Sequence, residues 1–225
     1  MKLKYFGHSA FQITTDSGIN ILIDPFLDDN PVSKTKSSQV DADFIILTHG
    51  HGDHVGDGLK IAKRCNSLFI CVNELAEWVK SKGLRAHNMH IGGAYNFDFG
   101  KAKFTIAHHG SMTPDSQYAG EASGVLITID EKTIYHTGDT GLFYDMKLIG
   151  EMNPVDYMLL PIGDNYTMGI DDAVKAVELT NPKTAIPMHF NTFPVINSDP
   201  NKFKQLVESK GKKCLVMDFG EEITL

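Results

Sequence analysis

The run Thr48-His49-Gly50-His51-Gly52-Asp53-His54 places three histidines and an aspartate in six positions, directly after the apolar run Phe44-Ile45-Ile46-Leu47. Imidazole nitrogens and carboxylate oxygens are suitable ligands for zinc, manganese or iron. His49 and His51 are two apart in a loop leaving a buried strand, a spacing that can put both rings on one side of the chain. Asp53 and His54 stand where a helix is expected to begin. Glycines at 50 and 52 free the backbone to turn tightly and aim the ligands. Four donors on so short a loop diverge too much to serve one ion. The pattern therefore suggests two adjacent metals, one held by His49 and His51 and one by Asp53 and His54.

Two metals need more donors from elsewhere in the chain, at strand ends where loops converge on a site. His108-His109 ends the stretch Ala102–His108, Asp139 ends Thr133–Asp139, and His189 ends Thr184–Phe190. A carboxylate between two ions can bridge them, so Asp139 is the natural bridge. His136, inside a strand, is read as packing, and His87 and His90 as loop or surface residues. His8, after Gly7, is either a strand histidine or a pocket residue.

The elements that must position these donors follow from the pattern of apolar residues. Residues 3–15 and 19–27 read as two strands joined by the turn Asp16-Ser17-Gly18. Residues 28–40 are polar and read as a loop. Residues 43–48 form a short buried strand that ends at the histidine cluster. A helix is expected over 58–65, a strand over 68–72, and a helix over 73–83 with Asn73 as N-cap and Gly83 as its stop. Strands follow over 94–100, 102–108, 124–130 and 133–139, the last two forming a hairpin through Glu131-Lys132. A strand at 157–164, a helix at 171–181 that ends before Pro182, a strand at 184–190, a helix at 200–211 and closing strands at 214–220 and 221–225 complete the reading. This order suits an α/β fold with two mixed sheets face to face and helices outside, a four-layer αββα sandwich in a single domain spanning 1–225.

Composition narrows the function. The chain has 225 residues, 42% apolar and 22% charged, as in a globular protein. A formal net charge of −7 and the lack of any long basic run argue against nucleic acid as a partner. The three cysteines, Cys65, Cys71 and Cys214, form no C-x-x-C pair, so neither a disulfide framework nor a thiolate zinc site is expected. The N-terminus lacks the apolar core of a signal peptide, and no run approaches the ~18 apolar residues of a membrane span. A cytoplasmic protein acting on a small-molecule substrate is expected, and its assembly as a homo-oligomer is left open. No G-x-G-x-x-G opens a helix, no P-loop is present and no G-x-S-x-G elbow occurs.

The motif T-H-x-H-x-D-H after an apolar strand resembles the signature of the metallo-β-lactamase superfamily, and the resemblance covers essentially the whole chain. His109, Asp139 in a T-G-D-T setting and His189 follow in the order of that family. More narrowly, GHSAFQI, ILIDPFL, AHHGS, HTGDT, LPIGDNYTMG and IPMHF look like a small metal-dependent hydrolase branch. That branch is similar to the ascorbate-6-phosphate lactonases and the phospholipase D that cleaves N-acyl phosphatidylethanolamines. The resemblance implies that His49, His51 and His109 hold one ion, that Asp53, His54 and His189 hold a second, and that Asp139 bridges them. It implies that Asp24 stands behind the ligands and orients a histidine, and that His8, of a G-H-S motif, lies near the pocket with a part in catalysis. Where the branch often has two glycines this chain has Gly163-Asp164, which adds a carboxylate near the site mouth beside Thr167 and Met168. The helix opening after these residues would favour an anionic substrate group at its N-terminus, with Asp171 and Asp172 competing.

Two divalent ions sharing a water lower its pKa enough to make hydroxide near neutral pH. Zinc or manganese suits the donor set best, and iron fits it too. Asp53 or Asp139 would accept or relay the proton. The expected reaction is hydrolysis of an ester, lactone, amide or phosphodiester. The rival readings are a metal-dependent nuclease, an iron-binding redox protein and a non-catalytic metal-binding protein.

Overall fold

The computed structural model describes residues 1–225. The chain forms two compact units. The first comprises residues 1–91, 110–122 and 218–225, and the second residues 92–109 and 123–217.

The first unit carries β1 (Lys2–Gly7), β2 (Ala10–Thr14), β3 (Asn20–Ile23), β4 (Phe44–Ile46), β5 (Leu68–Val72) and β6 (Ala86–Met89), and a last strand, Glu222–Thr224. They form one seven-stranded sheet in the order last strand-β1-β2-β3-β4-β5-β6. Pairing is antiparallel from the last strand to β3 and parallel from β3 to β6. Residues of β3, β4 and β5 are buried on both faces, as their near-continuous apolar runs require. Helices α1 (Gly52–Val55), α2 (Gly58–Cys65) and α3 (Asn73–Ser81) follow the parallel strands. Ile61, Leu75, Trp78 and Val79 from these helices bury against Leu22, Ile45 and Phe69.

The second unit carries β7 (Ala94–Phe97), β8 (Gly100–Ile106), β9 (Ser123–Ile129), β10 (Lys132–His136), β11 (Tyr157–Pro161), β12 (Thr184–Met188) and β13 (Lys213–Cys214). They again form one seven-stranded sheet, in strict sequence order. The pairs from β7 to β10 are antiparallel and those from β10 to β13 parallel. Helices α4 (Met146–Met152), α5 (Ile170–Thr180) and α6 (Pro200–Ser209) belong to the parallel half. Asp199 caps α6 by accepting from the amides of Asn201 and Lys202, ahead of a proline in the first turn. In each unit, therefore, an antiparallel half leads into a parallel half.

Several expectations are corrected. Residues 3–15 form not one strand but the greater part of a hairpin, because His8 at φ 57 turns the chain between β1 and β2. Residues 86–89, polar enough to read as loop, pair with β5 as the sheet edge. Helix α4 has no counterpart in the sequence reading. Asn73 lies inside α3, with Val72 at the N-cap, and its side chain accepts from Asn88 Nδ2 instead. The β9–β10 turn is Asp130-Glu131, both left-handed, and Lys132 pairs with Ile129.

Candidate metal centre

Most of the predicted donors stand at carboxyl ends of strands, where an α/β sheet places its ligands. In the first unit, Asp24 directly follows β3, and His49 is the third residue after β4. Asp24 is fully buried and left-handed (φ 44). Its Oδ1 accepts from the Thr48 amide at 2.9 Å, and its Oδ2 from the Thr48 hydroxyl at 2.6 Å. The same Oδ2 lies 2.7 Å from His54 Nδ1.

These bonds fix two tautomers. A carboxylate cannot donate, so His54 Nδ1 carries the proton and Nε2 keeps its lone pair. The single proton of Thr48 goes to Asp24, so the hydroxyl accepts from His49 Nδ1, 3.0 Å away. His49 therefore also presents Nε2 as a bare donor atom. His51 Nδ1 lies 3.0 Å from that nitrogen, close enough for the two rings to share either a proton or a cation. Oriented imidazole lone pairs backed by a buried carboxylate are what a divalent ion requires, so the donor set fits a metal.

His8, also fully buried, places Nε2 3.1 Å from Asp53 Oδ2. The Tyr5 hydroxyl donates to the His8 carbonyl at 3.0 Å and holds the left-handed turn. The Asp53 side chain keeps about a third of its surface open (32%), whereas His8 has none.

The glycines of the cluster act differently from the expectation. Neither Gly50 nor Gly52 has positive φ. A Cβ at Gly50 would stand 2.5 Å from Ala119 Cβ and 3.0 Å from the Met112 carbonyl oxygen, so this position needs room. Gly52 has no atom within 4 Å of such a Cβ and needs neither room nor a special turn. Ala119 and Met112 belong to a hairpin over 111–119, whose Ser111 hydroxyl accepts from the Gly50 amide at 3.2 Å. The far end of the hairpin is tied to α3 through Asp115, which accepts from Trp78 Nε1 and Lys82 Nζ. Bonds from Lys82, Thr113 and Trp78 lower the Asp115 pKa to about 2.

In the second unit, Asp139 follows β10 and is 2% exposed. Its Oδ2 lies 3.0 Å from His189 Nε2 and 3.7 Å from His109 Nε2. His108 instead stacks on Phe143 at 4.8 Å, so His109 is the member of the pair that meets Asp139. His189 follows β12 in a left-handed conformation (φ 53), and its carbonyl crosses Gly163 so closely that a Cβ there would lie 2.2 Å from the oxygen. His136 is buried at the end of β10 and accepts from the Gly138 amide, in keeping with a packing role.

Asp164, left-handed at φ 60, lines a cavity of about 500 Å³ with Asp171, Asp172, Asp199 and Lys202. Carboxylates outnumber the ammonium, so the start of α5 does not supply the anion site that a helix N-terminus would offer alone. Met168 is buried, and the Thr167 hydroxyl oxygen is buried without a hydrogen-bond partner. Cysteine is no rival nucleophile in the core: burial pushes the Cys71 thiol well above its ordinary range and that of Cys214 up to about 12.

Sequence reasoning missed the hydroxyls that organise the donors, Thr48, Ser111 and Thr140. The available signal was position, since each stands within two residues of a predicted ligand.

A model of the beta-lactamase superfamily domain matches residues 19–190. A UPF0173 metal-dependent hydrolase of Bacillus thuringiensis subsp. konkukian is 50% identical over 230 residues, covering 100% of both chains. The chain belongs to the metallo-β-lactamase superfamily. Within it, the chain is a metal-dependent hydrolase of the UPF0173 group, and its fold class is the αββα one expected from the sequence. Igni18, a metallo hydrolase from the archaeon Ignicoccus hospitalis, superposes with a TM-score of 0.92 at 42% identity, over 100% of this chain and 97% of its own. CmlA, a diiron β-hydroxylase from Streptomyces venezuelae, shares the superfamily fold at TM-score 0.78 and 14% identity, over 100% of this chain and 54% of its own. No helix of this superfamily member is long and apolar enough to cross a membrane.

Proposed function

We propose that residues 1–225 form one hydrolase domain that uses two divalent ions, zinc or manganese by preference, to cleave an ester, lactone or phosphodiester bond in a small substrate. His49, His51 and His109 serve one ion, Asp53, His54 and His189 the other, and Asp139 serves both. The reading is carried by the Asp24 network, which spends a buried carboxylate on fixing the tautomers of His49 and His54 so that Nε2 of each keeps its lone pair.

Bound divalent ions would supply Lewis acidity at the scissile centre and lower the pKa of water in their shell. The protein supplies orientation and proton handling. Asp53 is the proton acceptor that the geometry favours, since it is partly open whereas Asp139 is almost fully buried and met by two histidines. His8 donates from Nε2 to Oδ2 and so holds the Asp53 carboxylate in place. Asp164 and Thr167 face the substrate, with Met168 buried behind them. Three cysteines without a disulfide support a reducing, cytoplasmic setting.

The test combines metal analysis with assays on p-nitrophenyl esters, lactones, p-nitrophenyl phosphodiesters and RNA. Wild type should carry close to two ions per chain and turn over one of the first three classes, and His49→Ala should abolish that activity. Fewer than one ion per chain, with His49→Ala leaving every activity unchanged, would sink the proposal. Turnover of RNA alone would favour a nuclease.

A further inference from the structure

Thr140 directly follows Asp139 and is fully buried. Its hydroxyl accepts from the His108 amide at 2.9 Å and donates to the Gly141 carbonyl at 2.8 Å. The Gly141 amide returns to the His108 carbonyl at 3.1 Å, so His108 is clamped at both its N–H and its C=O. The Thr140 carbonyl accepts from the Met168 amide at 3.0 Å. Three loops of the second unit thus meet at one residue: the one bearing His109, the one bearing Asp139, and the one running from Asp164 to Met168. None of these bonds requires a metal.

We infer that Thr140 is a positioning residue that presets the separation of His109 and Asp139 for a divalent ion and ties the Asp164–Met168 loop to the same carboxylate. The inference rests on the binuclear reading above. The hydroxyl is suited to the task because it satisfies two backbone groups at once from a fully buried residue. An apolar side chain of the same shape would leave the His108 amide and the Gly141 carbonyl without those partners. The loop bearing His109 would then be fixed only by the Gly141–His108 bond, and the gap between imidazole and carboxylate would widen or fluctuate.

The experiment compares wild type with Thr140→Val, Thr140→Ala and Thr140→Ser, using zinc affinity from competition with a chromophoric chelator and the visible absorption of the cobalt(II)-loaded protein. Groups that orient metal ligands are worth about 10–100-fold in metal affinity, and that is the loss expected for the valine and alanine variants. Serine should restore affinity and the wild-type cobalt spectrum. If the valine variant fails to fold, the alanine and serine pair decides. Thermal unfolding with a chelator present separates a brace from a positioning residue. Reduced stability of the metal-free variants, with zinc affinity and cobalt spectrum unchanged, overturns the inference. So does a serine variant no better than alanine. Should wild type itself bind less than one zinc per chain, the binuclear reading falls, and this inference with it.

Discussion

The two units hold their donors by different means. In the first, a buried carboxylate organises the site: Asp24 reaches His54 directly and His49 through Thr48. In the second, neutral groups do so: the Thr140 hydroxyl and backbone amides fasten the loops of His109 and Asp139. A buried charge sets protonation as well as position, because it dictates which ring nitrogen carries the proton. Neutral hydrogen bonds set position alone. The first unit should therefore fail sharply when its charge is removed, and the second gradually when its geometry is loosened.

Asp24→Asn is the sharpest break. The amide would turn two hydrogens toward groups that already donate, and His54 would lose the acceptor that fixes its tautomer. A loss of about 10–100-fold in zinc affinity is expected, at or above the loss for Thr140→Val, by chelator competition. If the Thr140 variant lost far more than Asp24→Asn, the contrast between the units would be reversed.

Glycine replacements sharpen the comparison. Gly50→Ala drives a Cβ against Ala119 and Met112, and Gly163→Ala drives one against the His189 carbonyl. Each should cost about 1–3 kcal/mol in denaturant unfolding. Gly52→Ala, with open space and a helical position, should instead stabilise by about 0.4–1 kcal/mol.

The smallest effect is at the hairpin over 111–119. Asp115 has a depressed pKa, so its contribution is present above the unfolded carboxylate value near 4 and is lost as pH falls through about 2. Trp78 is the only tryptophan and donates to Asp115, so its emission should change between pH 4 and 2. Asp115→Asn should flatten that change. An unaltered titration in the variant would show that the indole reports on something else.

The first unit was legible because its donors are crowded into one loop. The second was less so, because nothing local marks His109, Asp139 and His189 as companions; their places at strand ends made them candidates, and their order and likeness to a family joined them. The β-branched and apolar runs announced β3, β4, β5 and β9 to β12, whereas β6, with the sequence Ala-His-Asn-Met, owes its strand to pairing with β5. Helix α4 carries a glycine and opens without a capping side chain, so it gives little local signal. The left-handed residues His8, Asp24, Asp164 and His189 were invisible to pattern reading, because none is the glycine that such a backbone usually calls for. They are four of the eleven non-glycine residues with positive φ, two in each unit.

The strand Glu222–Thr224 pairs with β1, so Lys2 meets Thr224 and Lys4 meets Glu222. During synthesis, β1 emerges long before that partner, which leaves the ribosome after every other element described. The outer amides of β1 must wait in the open until then, as a bare sheet edge that other chains could join. The first unit therefore holds the densest donors and is also the last to close, and the hazard of misassembly falls on the half that carries the histidine cluster.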